Sequence, residues 1–136
     1  MSAAGYSGTP LVHKLGYRAG MDAAHVDAPP AFAGLLTGLP DGVRIRETLR
    51  GHLDLVVCFV TARTRLKART PVLRRAIAPD GMAWIAWPKR SSGVPTDLTE
   101  DVIRDVVLPT GLVDVKVCAI DETWSGLKLV VRKELR

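Results

Sequence analysis

The chain has 136 residues, of which 47% are hydrophobic and 24% charged, with a formal net charge of +5. That composition suits one folded domain and excludes wholesale disorder. No apolar run approaches the roughly eighteen residues of a membrane span, so no membrane partner is expected.

In chain order, residues 1–8 read as a loose segment and residues 9–136 as one domain. Met1 to Tyr6 has neither the basic stretch nor the apolar stretch of a signal peptide, which makes the cytoplasm the expected location. Thr9-Pro10 predicts a helix start, with Thr9 as N-cap and Pro10 where its missing N–H costs nothing, and the helix stops at Gly16. Met21 to Asp27 reads as a strand ended by Pro29-Pro30. Ala31 to Leu36 has helical spacing, and Leu39-Pro40-Asp41-Gly42 is a turn. Val43 to Arg46 alternates like a short, half-exposed strand. Thr48 to His52 is too short for an ordinary crossover, so that strand is either stubby, with the chain doubling back, or paired antiparallel.

Leu53 to Val60 is a continuous, β-branched run that predicts a central strand buried on both faces. Ala62 to Ala78 is helical, with Leu66, Leu73 and Ile77 on one stripe. Pro71 predicts a kink or restart there, with Thr70 as a new N-cap. Pro79-Asp80-Gly81 ends that helix, and Met82 to Trp87 forms another buried strand. Asp97-x-x-Glu100 has the form of a capping box opening a helix from Leu98 to Leu108, closed by Pro109-Thr110-Gly111. Val113 to Ile120 and Leu127 to Arg132 are the last strands, an antiparallel pair. Strands alternating with helices predict an α/β fold: a three-layer, Rossmann-like domain with a mostly parallel sheet of about six strands.

Right-handed crossovers sort the loops by sheet edge. The edge at the amino ends of the strands collects Pro, Gly and Asp turns, whereas the carboxyl edge collects polar loops. In open α/β sheets that carboxyl edge forms the binding crevice. The candidate ligand-binding residues are therefore Tyr6, Asp27, Lys89, Arg90, Ser91, Ser92, Gly93, Thr96, Asp121, Thr123, Trp124 and Lys128. Lys89 to Gly93 offers small residues and cations suited to cradling an anion. Thr96 and Asp97 are expected to cap the helix that follows, and Trp124 to stack on a ligand or fill a packing gap.

No catalytic residue is predicted, because no histidine falls near Ser91 or Ser92. Cys58 and Cys118 sit in apolar strands and read as buried thiols. The scattered His13, His25 and His52 predict no metal site. Arg63, Arg65, Lys67, Arg69, Arg74 and Arg75 form an acid-free basic block, read as one solvated helix face that can also attract phosphate backbones.

Leu53-Asp54-Leu55-Val56-Val57, then Leu73 to Gly81, then Trp84-Ile85-Ala86-Trp87-Pro88 and the closing pair together resemble the second half of a class I, Rossmann-like methyltransferase. The whole chain also resembles a bacterial family of small proteins defined as a domain of unknown function. Gly5 to Leu11, Trp87-Pro88-Lys89, Ser92 to Glu100, Val113 to Cys118 and Thr123 to Lys128 carry that likeness, which implies no activity. The methyltransferase resemblance implies S-adenosylmethionine, held by a glycine-rich turn after the first strand. Here that turn is Asp27-Ala28-Pro29-Pro30-Ala31-Phe32, with no glycine before Gly34 and two residues lacking an N–H. The core reads as truncated and degenerate, and no cofactor is predicted.

The preferred functional reading is a noncatalytic binding or regulatory module holding a small anionic ligand or a protein partner at the carboxyl edge. One alternative is a small enzyme acting on a nucleotide-like substrate in the same crevice, with Asp27, Lys89, Asp121 and Lys128 as its polar groups. Another is nucleic-acid docking through the Arg63–Arg75 helix.

Overall fold

Six strands form one sheet in the computed structural model, which describes residues 9–136. The segment 1–8, and with it Tyr6, lies outside the described residues. The strands are β1 (Asp22–Val26), β2 (Arg44–Arg46), β3 (Leu53–Phe59), β4 (Ile77–Pro88), β5 (Leu112–Ala119) and β6 (Trp124–Val131). The helices are α1 (Leu11–Leu15), α2 (Phe32–Leu35), α3 (Arg63–Ala76) and α4 (Glu100–Val107). The spatial order is β2-β1-β3-β4-β6-β5; the first four strands are parallel and β6 is antiparallel to both neighbours.

Strand periodicity divides the core in two. Val56 and Cys58 of β3 join Leu66 and Leu73 of α3 and Ile103 and Val107 of α4 on one face. Leu55, Val57 and Phe59 join Val12 and Leu15 of α1, Phe32 and Trp84 on the other. The buried Trp84 indole donates its N–H to the Leu15 carbonyl at 2.9 Å, tying the end of α1 to the centre of the sheet.

Several local expectations change. The helix start at Thr9-Pro10 has Pro10 at the N-cap, and no side chain caps it. α3 runs unbroken through Pro71, and Thr70 is buried, donating its hydroxyl to the Leu66 carbonyl at 2.7 Å instead of capping a new helix. Pro71 and Lys67 lie on the exposed side, so water can satisfy the Lys67 carbonyl that proline leaves without a donor. Pro79-Asp80-Gly81 does not separate helix from strand; it is an insertion within β4. Leu53 pairs with Ile77 and Leu55 with Met82, which leaves extra residues bulged between two in-register pairs. Gly81 makes this close approach: a Cβ there would lie 2.7 Å from the Leu53 carbonyl oxygen.

β2 is a stub of three residues at the sheet edge, parallel to β1, so the chain does double back. The return through Thr48 to His52 packs Leu49 on the α3 side of the core. No helix among the described residues is long and apolar enough to cross a membrane.

Candidate functional site at the carboxyl edge

The loops leaving β1, β3 and β4 and the loop entering β6 meet at one edge, laced together by hydrogen bonds. The Lys89 N–H donates to the Thr123 carbonyl at 2.7 Å, joining the two tryptophan-bearing loops. The Thr96 hydroxyl donates to the Thr61 carbonyl at 2.5 Å and accepts the Leu98 N–H. Asp97 does cap a helix, but not its own. Its carboxylate accepts the Arg63 N–H at 2.8 Å, at the first residue of α3, while Thr99 is the N-cap of α4 and accepts the Val102 N–H. One loop thereby fixes the start of a helix more than thirty positions earlier. The Asp121 carboxylate accepts the N–H groups of Thr123 and Trp124, each at 2.8 Å, so it shapes its own turn.

The 89–93 segment is a self-satisfied turn. The Ser92 N–H and hydroxyl both donate to the Lys89 carbonyl, the Gly93 N–H donates to Arg90, and the Val94 N–H donates to the Ser92 hydroxyl. These bonds take up the Ser92 hydroxyl and the N–H groups of Ser92, Gly93 and Val94. The next helix also begins with Glu100 and Asp101, whose charge already occupies the positive end of its dipole. Both acids, with Asp114, bind Arg104, which holds the Asp114 carboxyl below its ordinary range.

Behind the edge, aromatic rings interlock. Tyr17, His25, Phe32, Phe59 and Trp124 make successive edge-to-face contacts, with centroids 6.1, 4.9, 4.9 and 5.0 Å apart. The Tyr17 hydroxyl lies 2.6 Å from His25 Nε2, and burial lowers the histidine pKa to about 4. The imidazole therefore stays neutral and shares that hydrogen bond with the Tyr17 hydroxyl. Burial raises the thiols of both cysteines, Cys58 to about 12, so neither is a poised nucleophile.

Three cavities open along the edge. A groove of about 780 Å³ on the α4 side is lined by Trp87, Arg90, Gly93, Thr96, Glu100 and Arg104, among others. A second, of about 540 Å³, lies between β1 and β2, where His25, Asp27, Pro29, Pro30 and Glu47 meet. The third, about 370 Å³, is bounded by Asp27, Phe59, Val60, Thr61, Ala62, Arg65 and Trp124. It sits where chain connections diverge: β1 leads to β2 on one side and β3 to β4 on the other, the topological switch point at which open α/β sheets bind ligands.

The structure thus brings Asp27 and Trp124 together and puts Arg90, Gly93 and Thr96 on the neighbouring groove. Ser91 is exposed and borders none of these three cavities; Lys89, Ser92, Asp121 and Thr123 build the loops. Lys128 is displaced from the crevice: it lies in the middle of β6 opposite Trp84, because β6 begins three residues earlier than expected. Arg65, Phe59 and Glu47 were missed among the ligand candidates. Glu47 had a signal, since it directly follows a strand, whereas Arg65 resembled every other cation of the basic block.

No known family model matches the chain, and no curated protein matches it. Solved structures do. A SAM-dependent methyltransferase from Aquifex aeolicus superposes with a TM-score of 0.60 at 13% identity, covering 89% of this chain and 88% of that one. A TehB-like SAM-dependent methyltransferase from Corynebacterium glutamicum gives 0.59 at 11% identity, covering 95% and 91%. Magnesium protoporphyrin IX methyltransferase from Synechocystis, solved with bound SAH, gives 0.58 at 11% identity, covering 90% and 78%. The fold is that of the class I methyltransferases. At these identities the likeness concerns architecture alone.

The residues at the cofactor position do not fit S-adenosylmethionine. Where that fold needs glycine and free amides, Asp27 takes a left-handed conformation (φ 55°) and forms an ion pair with Arg69 of α3 at 2.5 Å. Pro29 and Pro30 have no N–H, and the Pro29 carbonyl is taken by the Phe32 N–H. Asp27 borders both the 540 Å³ and the 370 Å³ cavities.

Proposed function

We propose that the chain is a noncatalytic binding module on a methyltransferase-like fold, taking a small anionic ligand at the switch point between β1 and β3. What carries this reading is the turn Asp27-Ala28-Pro29-Pro30, which replaces the cofactor cradle while leaving a cavity beside it. Arg65 borders that cavity and Arg63 begins the same helical turn. Asp27 is offset by Arg69, so it does not repel an anion as a free carboxylate would. Trp124, half-buried at the mouth, offers a ring surface for a planar group.

The test is thermal unfolding with nucleotides and simple dianions, followed in parallel by tryptophan emission. Trp84 and Trp87 are buried, so a ligand-dependent change in emission reports mainly on Trp124. A ligand at a hundredfold excess over its dissociation constant stabilises by about 2.7 kcal/mol, and Arg65→Ala and Trp124→Phe should reduce that gain. A gain that survives both substitutions would move the ligand elsewhere.

A further inference from the structure

Lys116 and Lys128 stand directly opposite each other in the β5–β6 ladder. Such partners point to the same face with Cβ atoms about 5 Å apart, and like charges there destabilise a sheet. A bulge creates the pair. Asp114 faces Leu129 and Lys116 faces Lys128, which leaves Val115 as the extra residue. Without it, Val115 would oppose Lys128, and Lys116 would oppose Leu127 on the α4 face. The bulge instead turns Val115 outward, 52% exposed, and sets the second lysine beside the first.

Trp84 is the partner of Lys128 on β4, so both lysines lie on the face that α1 covers only in part. Arg18, just beyond α1, is close enough to act on Lys128; Lys14 acts with Lys116 on the neighbouring Cys118 thiol. Burial and these cationic neighbours hold the Lys128 ammonium below its ordinary pKa. The ion pairs among the described residues use Arg44, Arg46, Arg69 and Arg104, and none neutralises this group. A lysine on edge strand β5 discourages pairing with another sheet. That accounts for Lys116 and not for Lys128, one strand further in.

We propose that Lys116 and Lys128 form an anion site for a phosphate-bearing ligand with at least two negative charges, separate from the carboxyl-edge cavity. A dianion between the lysines turns a repulsive pair into two charge-assisted hydrogen bonds. A free diphosphate and a nucleic-acid backbone share this chemistry.

Thermal unfolding is followed against pyrophosphate, and against a short DNA strand at equal phosphate concentration, with sodium chloride holding ionic strength constant. Pyrophosphate or the strand should raise the melting temperature of the native chain. Lys128→Met and Lys116→Met should each weaken half-saturation about tenfold or more, the loss expected from one charge-assisted bond. The same substitutions should raise the anion-free melting temperature by relieving repulsion. A gain from pyrophosphate alone identifies a free phosphate ligand; a larger, lysine-dependent gain from the strand identifies a backbone. No gain at matched ionic strength, or one that both lysine variants retain, overturns the proposal.

Discussion

His25 makes the aromatic row behind the carboxyl edge testable by pH. Its pKa is about 4 in the folded chain against 6.5 for a free histidine, so the unfolded chain takes up a proton first as pH falls. Stability is therefore complete above about pH 6.5, declines down to about 4, and levels once the folded form also protonates. At roughly 1.36 kcal/mol per pH unit, the loss across the window has an upper bound of about 3.4 kcal/mol, and His25 is partly exposed, which reduces it. Asp22 and Asp114 act later: their carboxyls are held below 3.8, chiefly by hydrogen bonds from Arg44 and Arg104, so their contribution disappears only in stronger acid. Urea unfolding from about pH 8 to 4 measures the slope. His25→Gln, whose amide can still share a hydrogen bond with the Tyr17 hydroxyl, should flatten it. A flat native profile, or an unchanged slope in the variant, refutes a buried neutral imidazole.

Three further outcomes follow from single contacts. Asp97→Ala should destabilise by about 1 kcal/mol, as loss of a helix cap does, and hydrogen exchange should quicken at Arg63 in α3, not in α4; quickening confined to α4 would contradict the cross-loop cap. Trp84→Phe removes the indole bond to the Leu15 carbonyl and should cost about 1–3 kcal/mol by urea unfolding; neutrality would show that the bond is not made. Gly81→Ala should destabilise more than an ordinary surface change, because its Cβ would lie 2.7 Å from the Leu53 carbonyl oxygen, and a melting temperature equal to that of the native chain would refute the close approach.

Much of the fold was legible locally. The apolar run Leu53 to Val60 was the buried central strand, and the polar loops after β1, β3 and β4 share one edge. What escaped were pairings set at long range. Asp97 looked like a cap for the helix beside it, because no local pattern records that Arg63 lies against it in space. Pro79-Asp80-Gly81 has turn chemistry, and only pairing with β3 makes it an insertion within a strand. The position of Lys128 depended on where β6 begins, and its lysine neighbour on a one-residue bulge in another strand. Phe32, Phe59 and Trp124 come from three separate segments, so no sequence window could place them in one row.

We propose that the turn after β1 keeps the methyltransferase-like fold while removing its cofactor site. Isothermal titration of the native chain with S-adenosylmethionine and with S-adenosylhomocysteine tests it most directly. The turn Asp27-Ala28-Pro29-Pro30 predicts no saturable heat with either compound. Stoichiometric, saturable binding, weakened by Glu47→Gln beside that turn, would contradict it.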